Sequence, residues 1–77
     1  MSVEEHAVEQ ARQVRLYPSE VEVIYWAARG KTAEETAMIL SKSPHTVLSY
    51  RKAAIEKLGA SNITHAVWLA SQVGLLS

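Results

Sequence analysis

The 77-residue chain contains no cysteine. This absence excludes a disulfide framework and a thiolate metal site, and it is typical of a protein in a reducing compartment. Apolar runs are also far shorter than the roughly 20 residues that a helix needs to cross a bilayer, and no signal-peptide pattern opens the chain. We therefore expect one soluble, cytoplasmic domain with a small core and no membrane partner.

Patterns that support catalysis are missing as well. The histidines, His6, His45 and His65, fall on separate predicted elements, without an HExxH motif or a glycine-rich loop that could hold phosphates. We therefore expect no catalytic residue, no metal site and no cofactor, and we expect that the protein is not an enzyme.

The charges sum to zero, but their distribution along the chain is uneven. Residues 1–35 hold seven of the eight acidic residues against four basic ones, whereas residues 36–77 hold four basic residues against one acidic residue. A basic face steers a protein toward phosphate whatever its net charge. Nucleic-acid contacts are therefore expected in the second half of the chain. The alternative is that these charges are scattered over the surface and solvated.

Residues 1–15 are predicted to form a leading helix or linker. Ser2 and Glu5 have the spacing of a capping box, and small apolar residues follow at helical spacing. We expect a helix over residues 3–13 that lies on the domain or ties two chains together. A frayed extension or the remnant of a linker is the alternative.

Two helices are indicated next. Pro18 suits the first position of a helix, and Gly30 suits its end. Thr32 and Glu35 then form a second capping box, which predicts a short helix to about Leu40.

A longer helix follows after a three-residue turn. Ser43 is the predicted N-cap, Pro44 the first helical residue and Gly59 the stop, which gives a helix over about 44–58. A short helix, a tight turn and a longer helix make a helix-turn-helix, which presents one helix to the major groove of DNA. Ser61 or Asn62 is predicted to cap a last helix through residue 73, with an apolar end folding back.

From residue 16 to residue 76 the chain resembles the LuxR-type (GerE-like) helix-turn-helix domain of bacterial transcription regulators. The spacing of that family's motif holds without gaps. The matching residues are Leu16, Pro18, Glu20, Gly30, Lys31, Thr32, Glu35, Ala37, Leu40, Ser43, Thr46, Val47, Lys57, Leu58, Gly59, Asn62, Ala66, Val67, Ala70, Gly74 and Leu75.

The resemblance implies an all-α fold, a four-helix helix-turn-helix domain over residues 16–77. The helix predicted above within residues 1–15 would precede this domain as an additional N-terminal helix. It implies that the helix at 44–58 enters the major groove and that the domain dimerises through its last helix. The expected partner is double-stranded DNA with a near-palindromic site.

The family's base-reading positions correspond to Leu48, Ser49 and Lys52. The chemistry agrees, because lysine can donate to guanine O6 and N7, leucine can pack on a thymine methyl, and serine can bond to base edges. The resemblance also makes Thr46 a phosphate contact. Further backbone contacts are expected from Ser43, Lys42, Arg51 and Lys57. An ordinary solvated helix face is the alternative for the basic residues.

Several residues depart from the family's pattern. Thr36 and Lys42 stand where isoleucine is common, and Lys42 must extend its ammonium outward, toward solvent or phosphate. Tyr50 and Arg51 stand where a histidine and an apolar residue are common. These differences indicate either an altered sequence preference or weakened DNA binding.

The last helix carries the expected dimer interface. Its core face is predicted to contain Ile63, Ala66, Val67 and Ala70. The residues then left on the outer face are Thr64, His65, Trp68, Leu69 and Gln72. An exposed tryptophan beside a leucine is typical of an interface. The alternative is that the tryptophan packs against the leading helix.

The sequence therefore predicts a homodimeric, sequence-specific DNA-binding domain of a bacterial transcriptional regulator. The alternative is a stand-alone protein-interaction module that heterodimerises with a full-length regulator of the same family and antagonises or modulates it. RNA polymerase is a further possible partner. A promoter-binding module like that of a sigma factor is a third, weaker interpretation.

Overall fold

The computed structural model describes residues 2–76. This part of the chain contains five α-helices and no strand. The helices are α1 (Val3–Arg12), α2 (Pro18–Ala28), α3 (Ala33–Leu40), α4 (Pro44–Leu58) and α5 (Ile63–Gln72). The prediction of an all-α helix-turn-helix fold with an additional N-terminal helix is confirmed, and each helix begins and ends within about a residue of its expected position.

Side-chain oxygens cap four of these helices. Ser2, Thr32, Ser43 and Asn62 each accept a hydrogen bond from a backbone N–H in the first turn that follows. Asn62, and not Ser61, is therefore the cap of α5. Such caps satisfy N–H groups that have no partner within the helix, and each stabilises the helix end by about 1 kcal/mol.

α2 begins differently. Tyr17 offers no side-chain cap, but its backbone N–H donates to Glu20 Oε1 at 2.8 Å. The glutamate thus supplies half of a capping box without a serine or threonine at the N-cap.

The core consists of two clusters. The larger one lies where α1, α2, α4 and α5 meet, and its members are Ala11, Ile24, Ala54, Leu58, Ala66, Leu69 and Ala70. The smaller one lies among α2, α3 and α4 and consists of Val23, Ala33, Ala37 and Val47. The many alanines let the helices approach closely. The C-terminal Leu75 and Leu76 pack against the larger cluster, as predicted.

α3 and α4 form the helix-turn-helix. α3 ends at Leu40, and its C-cap residue Ser41 adopts a left-handed conformation with φ 56°. The Lys42 N–H donates to the Ala37 carbonyl at 2.9 Å. Ala37 is buried at the point where the helices meet. The polar Thr36 is also fully buried, and its hydroxyl donates to the Thr32 carbonyl at 2.8 Å.

The prediction that Leu69 faces outward is wrong. Leu69 is fully buried and belongs to the same cluster as Ala11 of α1. The pattern of α5 alone shows which of its residues are apolar, but not that α1 also packs against it. Because α1 covers one flank of α5, more residues of α5 are buried than the pattern predicts. Leu69 is therefore a core residue and not part of a surface that could contact a second chain.

None of the helices formed within residues 2–76 is long and apolar enough to span a bilayer.

Candidate nucleic-acid interface

Two opposite faces of α4 have different roles. Val47, Ala54 and Leu58 are buried and anchor the helix on the core. The exposed residues recur at helical spacing on the other face: His45, Leu48, Ser49, Lys52 and Glu56. The three predicted base-reading residues therefore share one solvent-facing stripe.

Leu48 is the large apolar residue of this stripe, and it is 52% exposed. Beside it lies a shallow groove of about 370 Å³ between α4 and the start of α5. The groove is lined by Leu48, Arg51, Lys52, Ile55, Glu56, Asn62 and Ile63. Its walls thus combine apolar groups with Lys52, an exposed basic residue of the stripe.

The N-terminus of α4 brings two hydroxyl groups together. Ser43 Oγ accepts from the Thr46 N–H at 3.1 Å and donates to Thr46 Oγ1 at 2.9 Å. The positive end of the helix dipole lies at the same place. The hydrogen of the Ser43 hydroxyl is thus already donated to Thr46, whereas the Thr46 hydroxyl keeps its own hydrogen, which it can donate to an anion such as a phosphate.

Lys42 precedes this helix start and is exposed. Its ammonium lies 5.9 Å from the centroid of the Tyr50 ring. The side chain therefore follows the aromatic surface and keeps its charge in solvent, as the sequence required of a lysine in that position.

Hydrogen bonds within the domain hold Arg51 and Lys57, which are both predicted to contact the DNA backbone. Arg51 Nη2 donates to the Lys31 carbonyl at 2.9 Å, and Lys57 Nζ donates to Glu20 Oε1 at 2.8 Å. Both residues are half-buried. Each lies on a flank of α4 that packs against α2 or the α2–α3 turn, so each meets an acceptor within the domain first.

The network around Lys57 contains functional groups that the sequence did not single out. Its ammonium also lies 3.9 Å from the centroid of the Tyr17 ring, a cation–π contact. Glu20 is only 3% exposed, and the sequence marks it solely as a match to the family's motif. A glutamate at the third helical position, far in sequence from a lysine, gives no local signal of such a pair.

The exposed face of α5 contains Thr64, Trp68 and Gln72, and Trp68 is 40% exposed. His65 is half-buried: its Nδ1 accepts from the Ser61 N–H at 3.0 Å, and its ring stacks on Trp68 at 6.3 Å between centroids. Four of the five predicted interface residues therefore lie together at the surface, without Leu69.

α1 borders this face. A groove of about 400 Å³ separates it from α5 and is lined by Glu4, Glu5, Val8, Glu9, Arg12, Trp68 and Gln72. The tryptophan thus forms one wall of a groove whose other wall is acidic, and it is not covered by α1.

The carboxyl group of Glu35, in the first turn of α3, has a lowered pKa. The pKa of Glu35 lies below its ordinary value of 4.5, chiefly because the Thr32 backbone N–H donates to its carboxylate. The Thr32 side chain and the Lys31 charge act in the same direction, and burial opposes them.

Among residues 2–76 no cluster of histidine and carboxylate side chains could hold a metal ion.

Comparison with known proteins places this architecture in a family. The model of the bacterial regulatory proteins of the luxR family (GerE) matches residues 15–70. A quorum sensing-dependent transcriptional regulator, RpaR of Rhodopseudomonas palustris, is 45% identical over 65 residues, which are 84% of this chain and 27% of that protein.

Two further relatives cover the same region. The transcriptional activator BjaR1 of Bradyrhizobium diazoefficiens is 50% identical over 56 residues, 73% of this chain and 23% of that protein. The regulatory protein SdiA of Escherichia coli is 42% identical over 57 residues, 74% of this chain and 24% of that protein. The chain spans about a quarter of the length of these relatives. It belongs to the luxR family of bacterial regulatory proteins, which is a family of DNA-binding transcription regulators and not a family of enzymes.

Proposed function

We propose that this domain reads double-stranded DNA with α4 in the major groove and forms a homodimer through α5, as part of a cytoplasmic bacterial transcription regulator. The observation that carries the proposal is the exposed stripe of α4. Leu48, Ser49 and Lys52 lie on the face opposite the buried anchors of the same helix.

Base reading is assigned to these three residues by their chemistry. Lys52 can donate to O6 and N7 of a guanine, and the exposed Leu48 can pack on a thymine methyl. Ser49 lies beside Leu48 on the stripe and can donate to a base edge or accept from one. A site that contains both guanine and thymine in each half is therefore the expected target.

Backbone contacts are assigned to Ser43, Thr46 and Lys42. The two hydroxyls lie within hydrogen-bond distance of each other at the positive end of α4, and the exposed Lys42 directly precedes Ser43 in the chain. Contacts of this kind position the helix without reading sequence. They also release counterions, so binding is expected to weaken steeply as salt increases.

The dimer contact is assigned to the exposed face of α5. Thr64, His65, Trp68 and Gln72 supply it, with Trp68 as the apolar centre. Two-fold pairing of α5 would place the two α4 helices about 34 Å apart, one turn of DNA, and so predicts a near-palindromic site.

The first experiment is selection of duplexes from a randomised palindromic library, followed by fluorescence anisotropy of the 77-residue chain at two salt concentrations. Selective, salt-sensitive binding is expected. Lys52→Ala should weaken binding to the selected duplex by about 1–3 kcal/mol and relax the sequence specificity of the domain.

The matched control is Arg15→Ala, because Arg15 is exposed outside the helix-turn-helix and carries the same charge. Equal losses of affinity for the selected duplex in Lys52→Ala and Arg15→Ala would count against base reading by Lys52. Only weak, non-selective binding by the wild type would favour the protein-interaction alternative, in which α5 pairs with a full-length regulator of the family.

A further inference from the structure

Arg51 is bound inside the domain although it lies next to the proposed reading stripe. Its Nη2 donates to the Lys31 carbonyl at 2.9 Å. Its Nε is buried and has no hydrogen-bond partner among the described residues. The guanidinium is therefore held by the α2–α3 turn.

This bond gives α3 and α4 a second point of attachment. At one end the helices are joined by the turn, where the Lys42 N–H donates to Ala37. At the other end Lys31 directly precedes Thr32, the N-cap of α3. Packing of Ala33 and Ala37 on Val47 already holds the two helices together, and the Arg51 bond adds a polar restraint on the angle between them at the end away from the turn.

The distance along α4 from the turn to Arg51 determines how far the two helices could rotate against each other. Arg51 lies seven residues after Pro44. At 1.5 Å per residue it is about 10 Å from the turn, so a slack of about 1 Å at Arg51 would permit a rotation of about 6° between the helices. Lys52 is the next residue, so any such rotation changes where its ammonium meets a base edge.

The unpartnered Nε is a destabilising feature of Arg51 at this position. A buried donor without an acceptor is unfavourable, and buried polar groups are nearly always paired. An apolar side chain would fill the same place without that disadvantage. The residue therefore contributes something that an apolar side chain cannot, and the bond to Lys31 is what it contributes.

We propose that Arg51 is a positioning residue. It fixes the angle between α3 and α4 through the Lys31 carbonyl and so holds Leu48 and Lys52 in register for base reading, without contacting DNA itself. The proposal rests on the proposed function of α4 and adds to it a specificity role for a residue outside the reading stripe.

The test compares Arg51→Leu and Arg51→Lys with the wild-type chain. The probes are the duplex selected from the palindromic library and a random-sequence duplex of equal length. Arg51→Leu should lower affinity for the selected duplex about ten-fold and leave the salt slope unchanged. Its melting temperature should stay close to that of the wild type, because removal of the unpaired buried donor offsets the loss of the partner of the Lys31 carbonyl.

Arg51→Lys should recover most of the lost affinity, because an ammonium can donate to the Lys31 carbonyl. Arg15→Leu is the control for the same change at an exposed arginine outside the helix-turn-helix, and it should leave the ratio of selected to random affinity unaltered. In ¹H–¹⁵N spectra of the free wild-type chain, the Arg51 Nε–H should exchange slowly with solvent, since it is buried.

Three results would overturn the proposal. A salt slope reduced by about one in Arg51→Leu would show a direct phosphate contact. Unchanged selectivity in that variant would show that the bond to Lys31 does not position the stripe, and fast exchange of the Nε–H would show that the guanidinium is free. Failure of the wild type to bind any duplex selectively is a separate result, which would overturn the proposed function of α4 and this role with it.

Discussion

Lys57 Nζ lies 2.8 Å from Glu20 Oε1 and joins the last turn of α4 to the first turn of α2. The lysine side chain is 33% exposed and the glutamate side chain 4%. The same carboxylate oxygen accepts the Tyr17 N–H at 2.8 Å. One buried glutamate thus caps a helix and neutralises the lysine that fixes the far end of the proposed reading helix.

Lys57→Met is therefore expected to act on stability. The variant would leave Glu20 buried with a single donor, so the free energy of unfolding should fall by about 1–3 kcal/mol, less than for a fully buried pair because Lys57 is partly solvated. Denaturant unfolding measures the change. The double variant Glu20→Gln/Lys57→Met should recover part of it, because no unpaired charge is then left. A stable Lys57→Met with a reduced salt slope in DNA binding would instead make Lys57 a phosphate contact.

The sequence predicted the helices and their caps well because these depend on neighbours along the chain. Ser43 and Pro44 mark the start of α4, and Thr32 with Glu35 marks that of α3, at spacings that local hydrogen bonds impose. The exposed positions of α4 followed from the period of the helix. These are the parts of the candidate site that the sequence could supply.

The partners of long side chains could not be predicted in the same way. Arg51 and Lys57 have the charge and spacing of DNA-backbone contacts, yet each donates a hydrogen bond within the domain. The acceptors, the Lys31 carbonyl and the Glu20 carboxylate, are distant in sequence, so no local pattern indicates them. Leu69 was misplaced for a related reason. A single helix shows its apolar residues but not how many neighbours cover it, and α1 buries one flank more than the pattern of α5 indicated.

Thr36→Val is expected to leave the protein as stable or to stabilise it by up to about 1 kcal/mol. The Thr32 carbonyl that accepts the Thr36 hydroxyl at 2.8 Å also accepts the Thr36 N–H at 2.9 Å. The carbonyl therefore keeps a partner, and a methyl group replaces a buried hydroxyl. Thermal unfolding compares this variant with Thr36→Ser, which keeps the hydroxyl and should be less stable. A Thr36→Val protein less stable than Thr36→Ser would show that the hydroxyl is needed.

The capping box of α3 should make stability depend on pH. Since the pKa of Glu35 is lowered by its bonds to Thr32, the stabilisation is fully present above the ordinary value of 4.5 and is lost as the pH falls through the lowered pKa. Glu35→Gln should be less stable than the wild type at neutral pH, and the gap should close in acid. Melting temperatures from about pH 3 to about pH 7 measure this, with Glu34→Gln, one position earlier and exposed, as the control. A gap that stays constant across this range would mean that the charge of Glu35 does not contribute.

Neighbouring residues of α5 should separate association from folding. Trp68 is 40% exposed, so Trp68→Glu is expected to yield folded monomers, because a charge at the centre of the proposed interface would be desolvated in a dimer. Leu69 is fully buried, so Leu69→Ala should lower the free energy of unfolding by about 2–5 kcal/mol and leave the association of the folded protein unchanged. Sedimentation equilibrium measures the mass and denaturant unfolding measures the stability.

Val3→Glu is the matched control for this pair, because Val3 is an apolar residue of α1 that is 86% exposed. It should alter neither association nor stability, since surface substitutions away from contacts have small effects. Dimers that persist in Trp68→Glu would place the interface on another face. Dissociation by Leu69→Ala without loss of stability would mean that Leu69 turns outward in the dimer, and the packing of α1 on α5 would then differ between the monomer and the assembled regulator.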